Sequence, residues 1–210
     1  GTIEIDRLYV SPLYRDVVVH GLRILSPKDE VVARIDTSRA KIDRSVLPLT
    51  IAHSLSPERF VLVGLNRVEV RGGWVHWDNR IYGENPLIRA FSERFPEEHK
   101  PPRGRYITVD RFDVRGLAIK YQNRNSLVEI PSIQTTGSVI IEDQDVRSRV
   151  NRVLTPGGTI VMKKYPRLPP VIMKDVDVIE VYNTNDRVEF DGISLSLSGI
   201  QITGEGRLGH

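Results

Sequence analysis

Along most of this chain apolar and polar residues alternate with a period of two, the pattern of strands that turn one face away from water. Ile3 and Ile5 alternate with charged neighbours, Val17-Val18-Val19 runs into Gly21-Leu22-Arg23-Ile24, and Val31, Ala33 and Ile35 alternate with Val32, Arg34 and Asp36. Ser11-Pro12 and Ser26-Pro27-Lys28-Asp29-Glu30 read as turns, because Pro presets φ and Ser and Asp bond locally to the backbone. Residues 60–65 and 68–77 read as a hairpin-like pair around Asn66-Arg67 or as one long bent strand, with Trp74 and His76 on one face and Val75 and Trp77 on the other. Strands are predicted again over 107–121, in two pieces around Pro131 and Gly137, over 160–164 and over 171–182. The cleanest alternation is the last: Val188 and Phe190, then Ile193, Leu195 and Leu197 with serines between them. At Gly199 the phase slips and Ile200 and Ile202 continue, as a β-bulge or bend would produce.

Two segments carry a helical period instead. Residues 85–95 have Asn85 for the N-cap, Pro86 for the first helical position, Leu87/Phe91 and Ile88/Phe95 on one side, and Pro96 as the stop. Residues 145–154 place Val146, Val150, Val153 and Leu154 on one face and Arg147, Arg149 and Arg152 away from it, with Pro156-Gly157-Gly158 as the end. A short helical turn is predicted within 42–49, broken by Pro48. The Pro-rich stretch 96–104 reads as a loop and as the candidate internal boundary of a single β-rich unit spanning 1–210.

One phrase recurs. Asn66-Arg67-Val68-Glu69-Val70-Arg71-Gly72 returns as Asp110-Arg111-Phe112-Asp113-Val114-Arg115-Gly116, and Asp6-Arg7-Leu8-Tyr9-Val10 is a shorter copy. Repetition of a strand unit predicts an architecture that grows by adding strands and works through an extended surface. The predicted fold is therefore mainly β with two short helices, an elongated curved antiparallel sheet forming an open gutter; the alternative is a β-sandwich.

Composition narrows the function. With 40% hydrophobic and 27% charged residues the chain is ordinary globular material and not disordered. Lys and Arg number 30 against 27 Asp and Glu, interleaved without a basic stripe, and aromatics are 7%, so a nucleic-acid partner is not expected. Without cysteine there is no disulfide, thiolate metal site or Cys nucleophile. No apolar run reaches the roughly 18–20 residues that span a bilayer. The chain opens Gly1-Thr2-Ile3 without Met, inside a strand pattern, and reads as an excised segment of a longer protein.

Chemistry is sparse. The five histidines, His20, His53, His76, His99 and His210, have no metal-ligand spacing, and no nucleophile-elbow, phosphate-loop or dinucleotide fingerprint occurs. Glu142, Asp143 and Asp145 read as first-turn acids of the second helix before they read as a cation site. Arg67, Arg71, Arg111 and Arg115 read as partners of acids on neighbouring strands before they read as lipid-phosphate ligands. Neither an enzyme, a metal nor a cofactor is expected. The apolar residues of the last strands are either a core face or the lining of an open groove; periodicity does not separate the two, because both need one apolar face.

Asp6-Arg7-Leu8-Tyr9-Val10-Ser11-Pro12, then Val17-Val18-Val19-His20-Gly21-Leu22-Arg23-Ile24, then the Ser26 to Asp36 turn and strand, Val46-Leu47-Pro48 and Leu65-Asn66-Arg67-Val68-Glu69-Val70 together resemble the amino-terminal region of AsmA-like and TamB-like proteins of diderm bacterial envelopes. Asp191-Gly192-Ile193-Ser194-Leu195-Ser196-Leu197-Ser198-Gly199 resembles the amphipathic strands of the same family. The resemblance covers most of 1–125 and the last 25 residues; the Pro-rich loop at 96–104 departs from it. It implies a periplasmic β-gutter, in a parent protein anchored in the inner membrane, that carries phospholipid between membranes without catalysis. The alternative it implies is a docking or assembly module for an outer-membrane β-barrel or another envelope protein. The expected lipid-contacting residues are Val188, Phe190, Ile193, Leu195, Leu197, Ile200 and Ile202, with Leu117, Ile119 and Tyr121.

Overall fold

The computed structural model describes residues 2–12, 15–46, 48, 61–80, 105–142, 145–184 and 187–209. These residues form one eleven-stranded sheet, and no second sheet faces it among them, so the sandwich alternative does not hold. The strands are β1 (Thr2–Glu4), β2 (Arg7–Val10), β3 (Asp16–Leu25), β4 (Val31–Ile42), β5 (Val61–Asp78), β6 (Arg105–Gln122), β7 (Ser126–Glu142), β8 (Asp145–Met162), β9 (Val171–Asn183), β10 (Arg187–Leu197) and β11 (Ile200–Gly209). They pair in chain order from β3 to β11, with β1 and β2 both on the outer side of β3. The two ends do not meet, and the result is a long, curved, unclosed sheet.

Every pairing is antiparallel except one. Residues 61–78 form the one long bent strand and not the hairpin around Asn66-Arg67, and β5 and β6 run parallel. The register of this pair is the offset of the sequence repeat: Val68 pairs with Phe112, Glu69 with Asp113, Val70 with Val114 and Arg71 with Arg115. The recurring phrase is thus two copies of one strand segment lying side by side.

The helix expected over 145–154 is part of strand β8. An irregularity between Gly137/Val150 and Thr136/Arg152 leaves Asn151 as an extra residue there. A strand interrupted by one extra residue brings Val146, Val150 and Val153 to one face at intervals of four and three, which imitates a helix. Pro156-Gly157-Gly158 lies inside the strand and stops nothing. Glu142 and Asp145 flank the β7–β8 turn and pair with Arg147 at 2.9 and 2.8 Å, in place of a helix first turn. Gly199 is also reinterpreted: Ser198 (φ 47°) and Gly199 (φ 91°) form the two-residue turn between β10 and β11, since consecutive positive φ values suit a type I′ hairpin. Ile42 closes β4 and residues 44–46 turn. The predicted helix over 85–95, the loop over 96–104 and most of 47–60 lie outside the described residues.

A crease crosses the sheet. Gly21 (φ 63°), Gly72 (φ 67°) and Gly116 (φ 72°) sit on β3, β5 and β6, with Asp36 of β4 between the first two in the register. The line continues through Pro156 of β8 to Asp175 of β9 (φ 50°). At each crossing the apolar alternation slips by one: Val17 and Val19 give way to Leu22 and Ile24, Val68 and Val70 to Val75 and Trp77. One inserted residue bends the strand and returns the following apolar residues to the face they would otherwise leave.

The crease glycines are not equivalent. A Cβ on Gly73 (φ 112°) would lie 2.2 Å from the Arg34 backbone oxygen, which cannot withdraw without moving β4, whereas a Cβ on Gly116 would meet nothing nearer than 3.8 Å. Gly116→Ala is expected to cost about 1 kcal/mol for its positive φ alone. Gly73→Ala is expected to cost about 3 kcal/mol through the added overlap. Midpoints of urea unfolding for the two variants check the order; equal shifts would contradict it.

Candidate functional site

Residues paired in register share a face, so apolar lines can be traced across the strands. One runs Leu8, Val19, Ser38, Val70, Val114, Thr135, Val153, Val178, Ile193. A second runs Val10, Val17, Ala40, Val68, Phe112, Gly137, Val150, Val181, Phe190. On the other side of the crease, Ile3, Ile24, Ala33, Val75, Ile119 and Ile130 form a third, and Trp77, Tyr121, Val128, Ile160 and Val171 a fourth. Glycines on these lines carry neighbouring rings: a Cβ on Gly137 would lie 2.6 Å from Phe112 Cζ and one on Gly206 2.5 Å from Phe190 Cζ, so each phenyl lies over the next strand's glycine.

Within the described residues the apolar face has little to bury against. Among the described residues only Val32, Ala33, Ile133 and Leu195 are buried hydrophobics, while Ile3, Leu8, Val10 and Trp77 of the traced lines are exposed, as are Ile200 and Ile202. Among the described residues, one layer of sheet leaves its apolar side half-open where a globular domain would cover it.

Beside the crease, strands β5 to β9 enclose a groove of about 810 Å³. Its lining includes Val75, Ile119 and Ile130 of the third line, together with Met173, Trp74, Pro131 and Pro156. That volume is within the range of roughly 300–1,000 Å³ typical of small-molecule sites. His76 also lines it, with its Nε2 buried and without a hydrogen-bond partner among the described residues.

The expected site residues fall into two groups on this face. Val188, Phe190, Ile193, Leu195 and Leu197 lie on β10, with Leu195 paired to Ile202 and Leu197 to Ile200 on β11. Leu117, Ile119 and Tyr121 lie four strands away on β6, paired to Ile133, Ile130 and Val128. Of the ten, Ile119 alone is among the groove's lining residues, and Leu195 belongs to the small buried core. Val75, Ile130 and Met173 escaped the sequence reading because they come from different strands, and no single strand's pattern brings them together. Trp74 was visible there, on the face opposite Val75.

The opposite face is a lattice of charge. Parallel pairing of two similar phrases sets Arg71 beside Arg115 and Glu69 beside Asp113, so like charges are neighbours across the strands. Directly opposed like charges repel; the attraction therefore runs along and diagonally between strands. Asp113, with 1% of its side chain exposed, is the focus. Arg115 donates to both its oxygens, Nε to Oδ1 and Nη2 to Oδ2, each at 2.9 Å. Arg71 Nη1 lies 3.5 Å and Arg67 Nη2 3.9 Å from it. Burial would raise the Asp113 carboxyl, but the Arg115 hydrogen bonds and the charges of Arg115, Arg71 and Arg67 outweigh it and hold the group below the usual carboxylate range. The arginines of the recurring phrase thus serve mainly as acid partners; Arg111 is exposed opposite Arg67.

Because the native pKa of Asp113 lies below its unfolded value, its stabilisation is complete above about pH 4 and is lost as pH falls through the native pKa. Asp113→Asn is expected to lose about 2 kcal/mol at neutral pH, since three guanidiniums lose their shared acceptor. It is also expected to flatten the acid limb of stability. Chemical unfolding at neutral pH and below about pH 4 checks both; an unchanged acid limb would contradict the assignment.

Comparison with protein-family models, curated proteins and solved structures finds no match for this chain.

Proposed function

We propose that this chain is a non-enzymatic lipid-carrying segment whose apolar face holds phospholipid acyl chains while headgroups stay in water. The observation that carries the reading is the continuity of the apolar lines across the strands of a single-layer sheet. The longer lines cross from β2 to β10, roughly 38 Å at about 4.8 Å per strand. One leaflet's acyl chains reach roughly 15 Å, half the bilayer's hydrocarbon core, so the track is longer than a single lipid. Each methylene it covers contributes about 0.8 kcal/mol, and the groove beside the crease offers a mostly apolar seat. The resemblance to AsmA-like and TamB-like proteins supports the same reading and carries its setting with it: a periplasmic segment of a parent anchored in the inner membrane.

A second reading, a docking module for an envelope protein or an outer-membrane β-barrel, is favoured by the open edge at β1 and β2. Ile3, Leu8 and Tyr9 are more than half exposed there, at 54%, 58% and 58%. Unpaired edges accept added strands.

Native mass spectrometry of the purified chain tests the first reading. Leu195 is unsuitable for the variant because it is buried; Ile119→Ser/Met173→Ser alters the groove wall instead. The wild type is expected to carry phospholipid and the variant to lose most of it while keeping its circular dichroism spectrum. A wild type free of lipid, or a folded variant that retains it in full, would sink the reading and leave the edge-docking one ahead.

A further inference from the structure

The connection between β8 and β9, Lys163-Lys164-Tyr165-Pro166-Arg167-Leu168-Pro169-Pro170, has three cations, no acid and two large apolar side chains turned to solvent. Tyr165 is 50% and Leu168 58% exposed. Their exposure is built into the loop. The Tyr165 N–H donates to the Met162 carbonyl at 3.0 Å and the Leu168 N–H to the Tyr165 carbonyl at 2.9 Å, giving two successive tight turns. Lys164 Nζ lies 5.8 Å from the centre of the Tyr165 ring, so the aromatic and the charge are held together.

The same end of the sheet gathers more positive charge. The Lys163 N–H donates to the Asn125 carbonyl at 2.7 Å, tying the loop to the β6–β7 turn. Arg124 Nε donates to the Arg80 carbonyl at 2.9 Å. With the Gln122 amide turned so that its oxygen faces the cations, Arg80 Nε and Lys163 Nζ reach it at 2.8 and 3.1 Å. Of Arg80, Arg124, Lys163, Lys164 and Arg167, only Arg80 has a carboxylate partner among the described residues, Asp78 at 2.6 Å. Elsewhere arginines of the polar face are matched by acids, as Arg152 is by Asp177 at 2.6 Å. Gln122 is three residues beyond Ile119 on β6, so this cluster sits roughly 10 Å along the strands from the groove.

We propose that this end of the sheet is a docking surface for an anionic lipid bilayer. Tyr165 and Leu168 enter the interfacial zone, where an amphipathic ring and a short apolar side chain are stable, and the surrounding cations sit among headgroup phosphates. Unmatched cations near an anionic surface each add to binding and lose effect as salt screens them. The prolines keep the loop from folding back onto the sheet edge as a strand. Docked this way, the groove would open close to the bilayer. That it is then the loading end rests on the lipid-carrying reading above; bilayer binding itself does not.

Flotation of the intact chain with phosphatidylcholine vesicles, with and without roughly one-third phosphatidylglycerol, at low and high salt, tests the surface. Binding to the anionic vesicles is expected, with loss at high salt. Lys163→Glu/Lys164→Glu/Arg167→Glu should weaken it by at least about tenfold. Tyr165→Ser/Leu168→Ser should weaken it about fivefold at unchanged charge. The same charge change made at the exposed Arg7, Arg44 and Arg111 should leave binding within about twofold. The proposal is overturned if the wild type does not float with anionic vesicles, if pure phosphatidylcholine binds as well, or if the two triple reversals weaken binding equally. The groove variant separates the two readings: a chain with Ile119→Ser/Met173→Ser that carries no lipid yet floats like wild type supports the docking surface independently of the groove.

Discussion

The backbone register between neighbouring strands is the constraint on which the rest of this structure depends. A single-layer sheet has no opposing layer to sort its side chains, so an apolar residue is kept from the polar face only by the strand next to it. Wherever one strand carries an extra residue, the neighbour must absorb it or every later side chain changes sides. The chain meets this by lining up its irregularities: Gly21, Asp36, Gly72 and Gly116 fall opposite one another, as do Pro156 and Asp175. Asp36 Oδ2 would lie 2.5 Å from a Cβ on Gly72, so a carboxylate of one strand occupies the space left by its neighbour's glycine. Polar satisfaction and apolar continuity thus have the same origin.

The parallel pair at the centre follows from the same logic. Two copies of one phrase can share a face and a register only if they run in the same direction, because an antiparallel copy would meet its partner reversed. The outcome is a row of arginines next to a row of arginines, neutralised by Asp113 from within the sheet together with Glu69. Individual exposed ion pairs contribute little; here the buried Asp113 and its neighbour Glu69 together hold Arg67, Arg71 and Arg115.

Much of this was legible in the sequence. The apolar–polar alternation of 188–197 names β10 residue by residue, and the division of Trp74 and His76 from Val75 and Trp77 survives intact in the register. The recurrence of Asp/Asn-Arg and Arg-Gly phrases announced growth by added strands. What stayed hidden were features that need two strands to define them. Asn151 turns a strand of valines into a helical period, and no local pattern distinguishes the two. Parallel against antiparallel pairing of β5 and β6 depends on where 79–104 carries the chain, not on either strand. The groove was missed for a related reason: its walls, Val75, Ile119, Ile130 and Met173, come from four strands, and no single strand's pattern brings them together.

The alignment of the crease also bears on mechanics. Hydrogen bonds between strands run along the crease, not across it, so rotating one half of the sheet against the other about that line changes torsions at a few residues and breaks no ladder bond. Glycine at three of those crossings lowers the torsional resistance where the rotation would occur. The sheet is therefore stiff along its strands and compliant about one transverse axis, and the width of the trough beside that axis is a variable that a guest can set without unzipping its host.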